Sequence, residues 1–396
     1  MAPTDPSPIY LDYNATAPLH PAAREAMLSA LDAWPGNPSS PHAHGQAARN
    51  ALEEARAGLA GLLGFARREV IFTSGGSESN TMVLRWAAEQ AVERDAPCHV
   101  IVSAIEHPSV LESAAWLAAH GVSVDYLPVN GDGVAELDAL EALIRPETRL
   151  ISLMAANNET GVVQPVAELT ARVRALEDGG RRVWVHCDAV QAFGRIPLSL
   201  REWGVDAVTV AAHKLGGPKG IGALALREGL TLTPLVLGGR QERGLRAGTE
   251  SVFLARGFLA AAEWMDAHRE ELAGRLAGFR ALLTERLAGL AGFFENGAAA
   301  QRLPNTVNLG FEGVPAQSLL VALDLRGVSV STGSACSSGA LEPSHVLQAM
   351  ALPAENVESA LRISMGFATT QAEVERCAEV IAGEVARLRG GRQGAE

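Results

Sequence analysis

The sequence predicts an α/β protein: a large domain on a mostly parallel seven-stranded sheet, joined to a smaller α/β domain. Three observations carry that expectation. Short, apolar, β-branched segments alternate with helix-length stretches between Val70 and Leu226, the pattern of a parallel sheet covered on both faces. Several of these segments run at their carboxyl ends into turns rich in Gly, Ser or Asn, where ligands of such sheets bind. A stretch rich in Ala, Leu, Glu and Arg from Ser251 to Leu290 then leads into a second group of short strands.

Taken in order, the first eight residues are Pro-rich and read as a loose lead. Val70-Ile71-Phe72 is the first strand, followed by a Gly/Ser turn and a helix from Glu78 to about Arg94. His99–Ser103, Val122–Leu127, Arg149–Met154, Arg182–His186 and Asp206–Ala211 continue the parallel set. Ile221–Leu226 follows after only a glycine loop, too short for a crossover, so it is expected to run antiparallel. Residues 251–290 read as one long helix, with a break allowed. Thr306–Leu309, Val328–Ser331 and Leu361–Ser364 are strands of the smaller domain, and the Gly-rich end from Arg389 reads as a tail. The expected division is 17–256 for the large domain, with 1–16 and 257–396 forming the small one.

Composition narrows the function. The chain has 396 residues, 47% hydrophobic and 20% charged, with a formal charge of −12, which describes a globular protein and argues against nucleic acid or an anionic membrane as the main partner. The N-terminus lacks the basic and apolar regions of a signal peptide, and no apolar stretch is long enough to span a bilayer. Cys98, Cys187, Cys336 and Cys377 are widely spaced. They indicate neither a disulfide framework nor a zinc ribbon, and a reducing cytoplasm is expected.

Cys336 stands apart. It sits in Ser331-Thr332-Gly333-Ser334-Ala335-Cys336-Ser337-Ser338-Gly339, with no bulky neighbour to pack against. Small residues leave a sulfur accessible, and an accessible thiol suits attack on something delivered from elsewhere. The other three cysteines read as structural. Thr73–Asn80 follows a strand and opens a helix, a phosphate cradle in the general sense that lacks the lysine of a nucleotide P-loop. Asp188 ends a strand, where it is either a helix cap or the partner of a heterocyclic nitrogen cation. Gln191 reaches the same ligand if a helical turn follows. Alternation puts His186 and Cys187 on opposite faces, against a zinc pair. His213-Lys214 precedes Leu215-Gly216-Gly217; a lysine fixed there can form a Schiff base. His107 and Asn157-Asn158-Glu159 close two further strands. His42 and His44 lie near the Asn37 turn without a clear role.

Together these segments resemble pyridoxal-phosphate enzymes of the class V aminotransferase superfamily, with the fold type I architecture. The resemblance is to the cysteine desulfurases of the nitrogen-fixation and iron–sulfur-cluster type. It runs from Tyr10-Leu11-Asp12-Tyr13-Asn14-Ala15-Thr16 to about Arg389. It is carried by Gly36–Ser40, the Thr73–Asn80 cradle, Asn157-Asn158-Glu159, His186–Gln191, His213-Lys214, Glu242–Thr249, and the Cys336 segment through His345.

The resemblance implies that Lys214 binds the cofactor and moves the substrate's Cα proton. It implies that Asp188 pairs with the ring nitrogen, Gln191 meets the ring hydroxyl and His107 stacks on the ring and handles thiol protons. Gly76, Ser77 and His213 would hold the phosphate, with Thr249 joining from the second subunit of a homodimer. Asn157 and Arg362 would grip the substrate carboxylate, and Cys336 would take sulfur from L-cysteine as a persulfide, releasing L-alanine. The sulfur would pass to an acceptor such as an iron–sulfur scaffold; no metal site is expected beyond a transient contact of Cys336 with a cluster. Ala211 stands where the family often has Ser, so one phosphate contact must be supplied otherwise. The short C-terminus leaves the docking mode open, and the Ser/Gly-rich Cys336 segment argues against the selenocysteine-favouring branch. Two other readings stay open: an aminotransferase or lyase that needs Lys214 and Asp188 but not Cys336, and a cofactor-free binding protein, which would be colourless.

Overall fold

A computed structural model describes residues 8–94, 96–177, 182–230, 232–333 and 343–393. Strand β1 (Ile9–Tyr10) opens the chain. The central sheet is built from β2 (Val70–Thr73), β3 (His99–Ser103), β4 (Ser123–Leu127), β5 (Thr148–Ser152), β6 (Trp184–Asp188), β7 (Ala207–Ala211) and β8 (Gly222–Leu226), in the order β2-β8-β7-β6-β5-β3-β4. Neighbours pair in parallel except at β8, which is antiparallel to both β7 and β2, as the short glycine connection requires.

Period-two alternation decides which face each side chain meets. On β3, Val100 and Val102 face one core together with Ile71 and Leu224, whereas Ile101 joins Ile151, Val185 and Cys187 on the other. Both faces are therefore apolar and both need covering. The helices preceding and following the early strands are α1 (Pro21–Ala33), α2 (Ala43–Leu63), α3 (Gly76–Arg94) and α4 (Pro108–Ala119). Residues of α3 and α4 (Met82, Val83, Trp86, Val110, Ala114, Leu117) fill the first core. Leu52, Ala55 and Leu59 of α2 fill the second, where α5 (Leu140–Leu143) and α6 (Val166–Ala175) add Leu140, Leu169 and Val173.

The long run after Ser251 is two helices, α7 (Val252–Ala267) and α8 (Arg269–Leu287). They break at His268, which takes φ −110 and ψ 8. α7 packs on α1 and α2, burying Phe258 completely, so the expected boundary at 256/257 falls inside a helix. Strands β9 (Phe293–Asn296), β10 (Thr306–Phe311) and β12 (Ala360–Ser364) form an antiparallel sheet with β10 central, and β1 pairs in parallel with β11 (Val328–Ser329). The N-terminal segment thus joins the later part of the chain. Helices α9 (Ala316–Leu325), α10 (His345–Ala349), α11 (Ala354–Ser359) and α12 (Gln371–Gln393) complete this region. No helix among the described residues is long and apolar enough to cross a membrane.

Candidate active site

The carboxyl ends of β2, β3, β5, β6 and β7 open into one cleft of about 400 Å³. It is lined by Gly76, Ser77, His107, Asp188, Gln191, His213, Lys214 and Arg362, together with Asn14, Asn80 and Ala211. Eight of the ten described residues expected at the site therefore meet in one place; Asn157 and Thr249 do not line it, and the eleventh, Cys336, lies outside the described residues.

Gly76 begins α3 and supplies the bare backbone that an anion can approach. A Cβ on it would come within 3.1 Å of Val190 Cγ2. Glu78 closes the turn by accepting the Ser74 N–H at 2.7 Å and pairs with Arg246 at 3.1 Å, tying the Glu242–Thr249 segment to the cradle. That segment is anchored again by the buried pair Arg56–Glu242, and Glu242 Oε2 also accepts the Phe72 N–H at 2.9 Å. Thr249 lines a separate cavity of about 80 Å³ beside the cradle.

Asp188 is buried at the end of β6. Its carboxylate accepts the Asn80 amide at 2.7 Å and the Val190 N–H at 2.9 Å. Beneath it lies a chain of neutral groups. Ser152 Oγ donates to Glu106 Oε1 at 3.2 Å and sits 2.9 Å from His186 Nδ1; His186 Nε2 is 3.1 Å from Thr209 Oγ1. Burial first, and then Asp188, push Glu106 up to about 8; burial takes His186 down to about 4. Both are uncharged near neutral pH, so neither competes with the Asp188 charge.

His107 caps α4, its Nδ1 accepting the Ser109 N–H at 3.1 Å. The proton of the neutral ring consequently sits on Nε2. Burial lowers its proton affinity, and Lys214 and His345 lower it further against the pull of Asp188. His213 is 3.2 Å from Thr16 Oγ1 and is driven down to about 4, by burial first and then by Lys214. Lys214 donates Nζ to the carbonyls of Asn14 and Ala15. Arg362 holds Asp12 Oδ1 at 2.7 Å and the Asn158 carbonyl at 3.1 Å.

Asn157 corrects one expectation. Its amide is fully buried away from the cleft: Nδ2 donates to the Ile105 carbonyl at 3.0 Å, and Oδ1 accepts the N–H groups of Glu159 and Thr160 at 2.8 and 3.0 Å. Its oxygen shapes the turn and its nitrogen ties that turn to Ile105, and the neighbouring Asn158 lines the cleft instead. His42 caps α2 and is exposed, as is His44, and neither lines the site. Cys98, Cys187 and Cys377 are buried; burial raises Cys187 well above an ordinary thiol and Cys377 to about 12, which makes both inert.

Sequence reasoning passed over Asn14, Asn80, Glu106 and Arg195. Asn80 was within reach, because four residues after Gly76 it shares a helix face with the cradle. Arg195 had no signal: it meets Asn14 Oδ1 only through folding, 181 residues apart.

The donor set matches pyridoxal phosphate. A helix N-terminus suits the phosphate, a buried acid the ring nitrogen, and a lysine the aldehyde. Two buried polar atoms here, Asn80 Oδ1 and Arg362 Nε, find no partner among the described residues, as expected of a site shaped for a polar ligand.

Residues 9–377 match the model of the aminotransferase class-V family, and the chain belongs to that family, whose chemistry depends on pyridoxal phosphate. A cysteine desulfurase of Trichormus azollae is 42% identical over 384 residues, covering 97% of this chain and 94% of its own. The cysteine desulfurase IscS of Dictyoglomus turgidum is 41% identical, covering 96% and 95%. Among solved structures, a NifS-like protein superposes with a TM-score of 0.89 at 35% identity, covering 96% of this chain and all of that one.

Proposed function

We infer that the chain is a pyridoxal-phosphate-dependent cysteine desulfurase, converting L-cysteine to L-alanine and loading the sulfur onto Cys336. The observation that carries this reading is the convergence of Lys214, Asp188 and the α3 N-terminus on one cleft, in a chain about 40% identical to cysteine desulfurases over nearly its whole length.

In this reading Gly76, Ser77 and His213 hold the phosphate, joined by the partner subunit's Thr249 in a homodimer. Asp188 keeps a proton on the ring nitrogen, and Gln191 donates to the ring oxygen. Pyridoxal phosphate, when bound, supplies the electron sink that makes the substrate's carbon–sulfur bond cleavable. Lys214 takes the Cα proton, held near it by the Asn14 and Ala15 carbonyls. Arg362 meets the substrate carboxylate with a planar fork that suits it; Asn158 stands beside it in the place once expected of Asn157. His107 Nε2 handles the thiol protons and leaves its ring face for stacking. The Cys336 thiolate attacks the substrate sulfur, the electron pair of the broken carbon–sulfur bond stays with carbon, and a proton completes alanine. Cys336 is left as a persulfide, a reversible store for transfer to an acceptor thiol.

The same reading includes the division at 17–256 against 1–16 and 257–396, a cytoplasmic setting, and an acceptor protein of the iron–sulfur scaffold type. A single-turnover incubation with L-cysteine and no reductant tests it, with bound sulfur mapped by intact-mass and peptide analysis. One added sulfur on Cys336 with equimolar alanine is the expected result. Alanine without sulfur on Cys336 removes Cys336 as acceptor. Neither product from cofactor-loaded protein would point to an aminotransferase or lyase instead.

A further inference from the structure

Arg195 lies in the turn after β6, four residues past Gln191, and is buried. Its guanidinium forms no ion pair among the described residues. Nη1 donates to Asn14 Oδ1 at 2.8 Å and to Gln191 Oε1 at 2.7 Å, and Nη2 donates to the Lys214 carbonyl at 3.2 Å. Three neutral oxygens, each from a residue of the cleft, share one buried cation. Such a charge is costly to bury without a counter-ion. Burial, and then Arg362, accordingly lower its proton affinity to about 10. A neutral donor could cross-link the same oxygens at less cost, so the charge itself needs a reason.

The contacts also decide an orientation. A glutamine amide can face either way. With Arg195 donating to Oε1, Gln191 Nε2 turns to the Asn14 carbonyl at 3.0 Å, and its second N–H is left to donate to a ligand oxygen. The same Asn14 carbonyl receives Lys214 Nζ. One residue thereby sets the ring-oxygen donor and the perch of the reactive lysine.

We propose that Arg195 is a positioning residue for the reaction: its fork fixes Gln191 and Asn14 for the cofactor's ring oxygen, and its charge favours Lys214 as the free amine that combines with an aldehyde. This rests on reading Lys214 as the cofactor-bearing lysine, and not on the fate of the sulfur. Other groups act on the same nitrogen. Asp188 on β6 opposes Arg195, as do the Asn14 and Ala15 carbonyls that accept Nζ; Arg362 on β12 lines the same cleft, Lys219 stands in the following loop, and His107 and His213 are neutral through burial.

The test uses the cofactor-free chain, reading reductive methylation of Lys214 by peptide mass across pH. The midpoint is compared between the natural chain and two variants at Arg195. Arg195→Gln removes the charge and keeps one donor. It should raise the midpoint by about one unit, roughly a tenfold loss of reactivity at fixed pH below it. Arg195→Lys keeps the charge and loses the fork; the midpoint should hold while cofactor retention falls several-fold. An unmoved midpoint in a cooperatively melting Arg195→Gln chain would overturn the proposal. No sulfur chemistry is read, so failure of the desulfurase reading would show separately, as missing alanine with this titration intact.

Discussion

Asn80 donates its side-chain amide to Asp188 Oδ2 at 2.7 Å and to Ser109 Oγ at 2.9 Å. The acid at the end of β6 is thus bound to the first turns of both α3 and α4. A hydrogen bond to a charged group contributes about 1.5–3 kcal/mol. Asn80→Ala should therefore weaken retention of pyridoxal phosphate by roughly tenfold or more, read as cofactor released on dialysis. Retention equal to that of the natural chain would mean that Asp188 needs no support from α3.

Lys214 and Cys336 should separate cleanly. Lys214→Ala abolishes alanine formation, because the base and the cofactor's anchor leave together. Cys336→Ala should still change the cofactor's absorbance on adding L-cysteine, since the early steps use Lys214, yet should form no persulfide. A Cys336→Ala chain that turns over normally, releasing alanine, would reject the thiol as nucleophile.

His107 is shifted down by burial, with Lys214 and His345 adding to the shift. It is consequently neutral at pH 7, with its Nε2 proton available to a thiolate and Nδ1 held by the Ser109 N–H. Activity should fall on the acid side as pH drops through its lowered value, because protonation of Nδ1 breaks the contact that orients the ring. Replacement by Gln should cost on the order of a hundredfold in rate, the usual size of one acid–base contribution. A pH–rate profile with the same acid limb in His107→Gln would assign that limb to another group.

The buried network under Asp188 makes stability depend on pH in two opposite senses. Glu106 rises from 4.5 to about 8 on folding. The folded state holds its proton more tightly, so stability falls as pH rises between those values. His186 drops from 6.5 to about 4; here the unfolded state binds the proton, and stability falls as pH drops across that window. Melting temperatures should show Glu106→Gln gaining on the natural chain from pH 5 to pH 8, by a few degrees. His186→Gln should lose less than the natural chain on acidification. Parallel melting curves at every pH would show that these groups titrate alike folded and unfolded.

Gly333 leads into the Cys336 segment with φ +85, and a Cβ there would stand 2.5 Å from Glu159 Oε2. That same oxygen accepts the Ser344 hydroxyl at 2.5 Å, so both flanks of the segment meet on one buried carboxyl group. Gly333→Ala should slow sulfur transfer to Cys336, while the absorbance change on adding L-cysteine stays intact. An unaltered rate of persulfide formation would show that this junction tolerates the side chain.

Local pattern was enough for much of this molecule. Short apolar runs on β3, β5 and β6, and a glycine connection too short for a crossover before β8, depend only on neighbours in the chain. Strand and helix type follow from such patterns, and the seven-stranded sheet with its single antiparallel member was legible in them. So was the concentration of Ser77, His107, Asp188 and Lys214 at strand ends, because a parallel sheet directs those ends to one side. A break in the long helix was allowed for, but its place at His268 was not legible, since the helical pattern runs through it.

What tertiary structure decided is which polar groups turn inward and what they meet. Asn157 and Asn158 are chemically identical neighbours, yet one is consumed by the Ile105 carbonyl and its own turn while the other lines the cleft. Glu106 and Asp188 are both acids near strand ends, but only complete burial beside another carboxylate keeps Glu106 protonated. Arg195 acquires its partners from residues 14, 191 and 214, brought together by the packing of the N-terminal segment against the sheet. Sequence fixes periods because they are set by adjacent residues; desolvation and charge at a site are sums over everything folded around it, and only the assembled chain contains those sums.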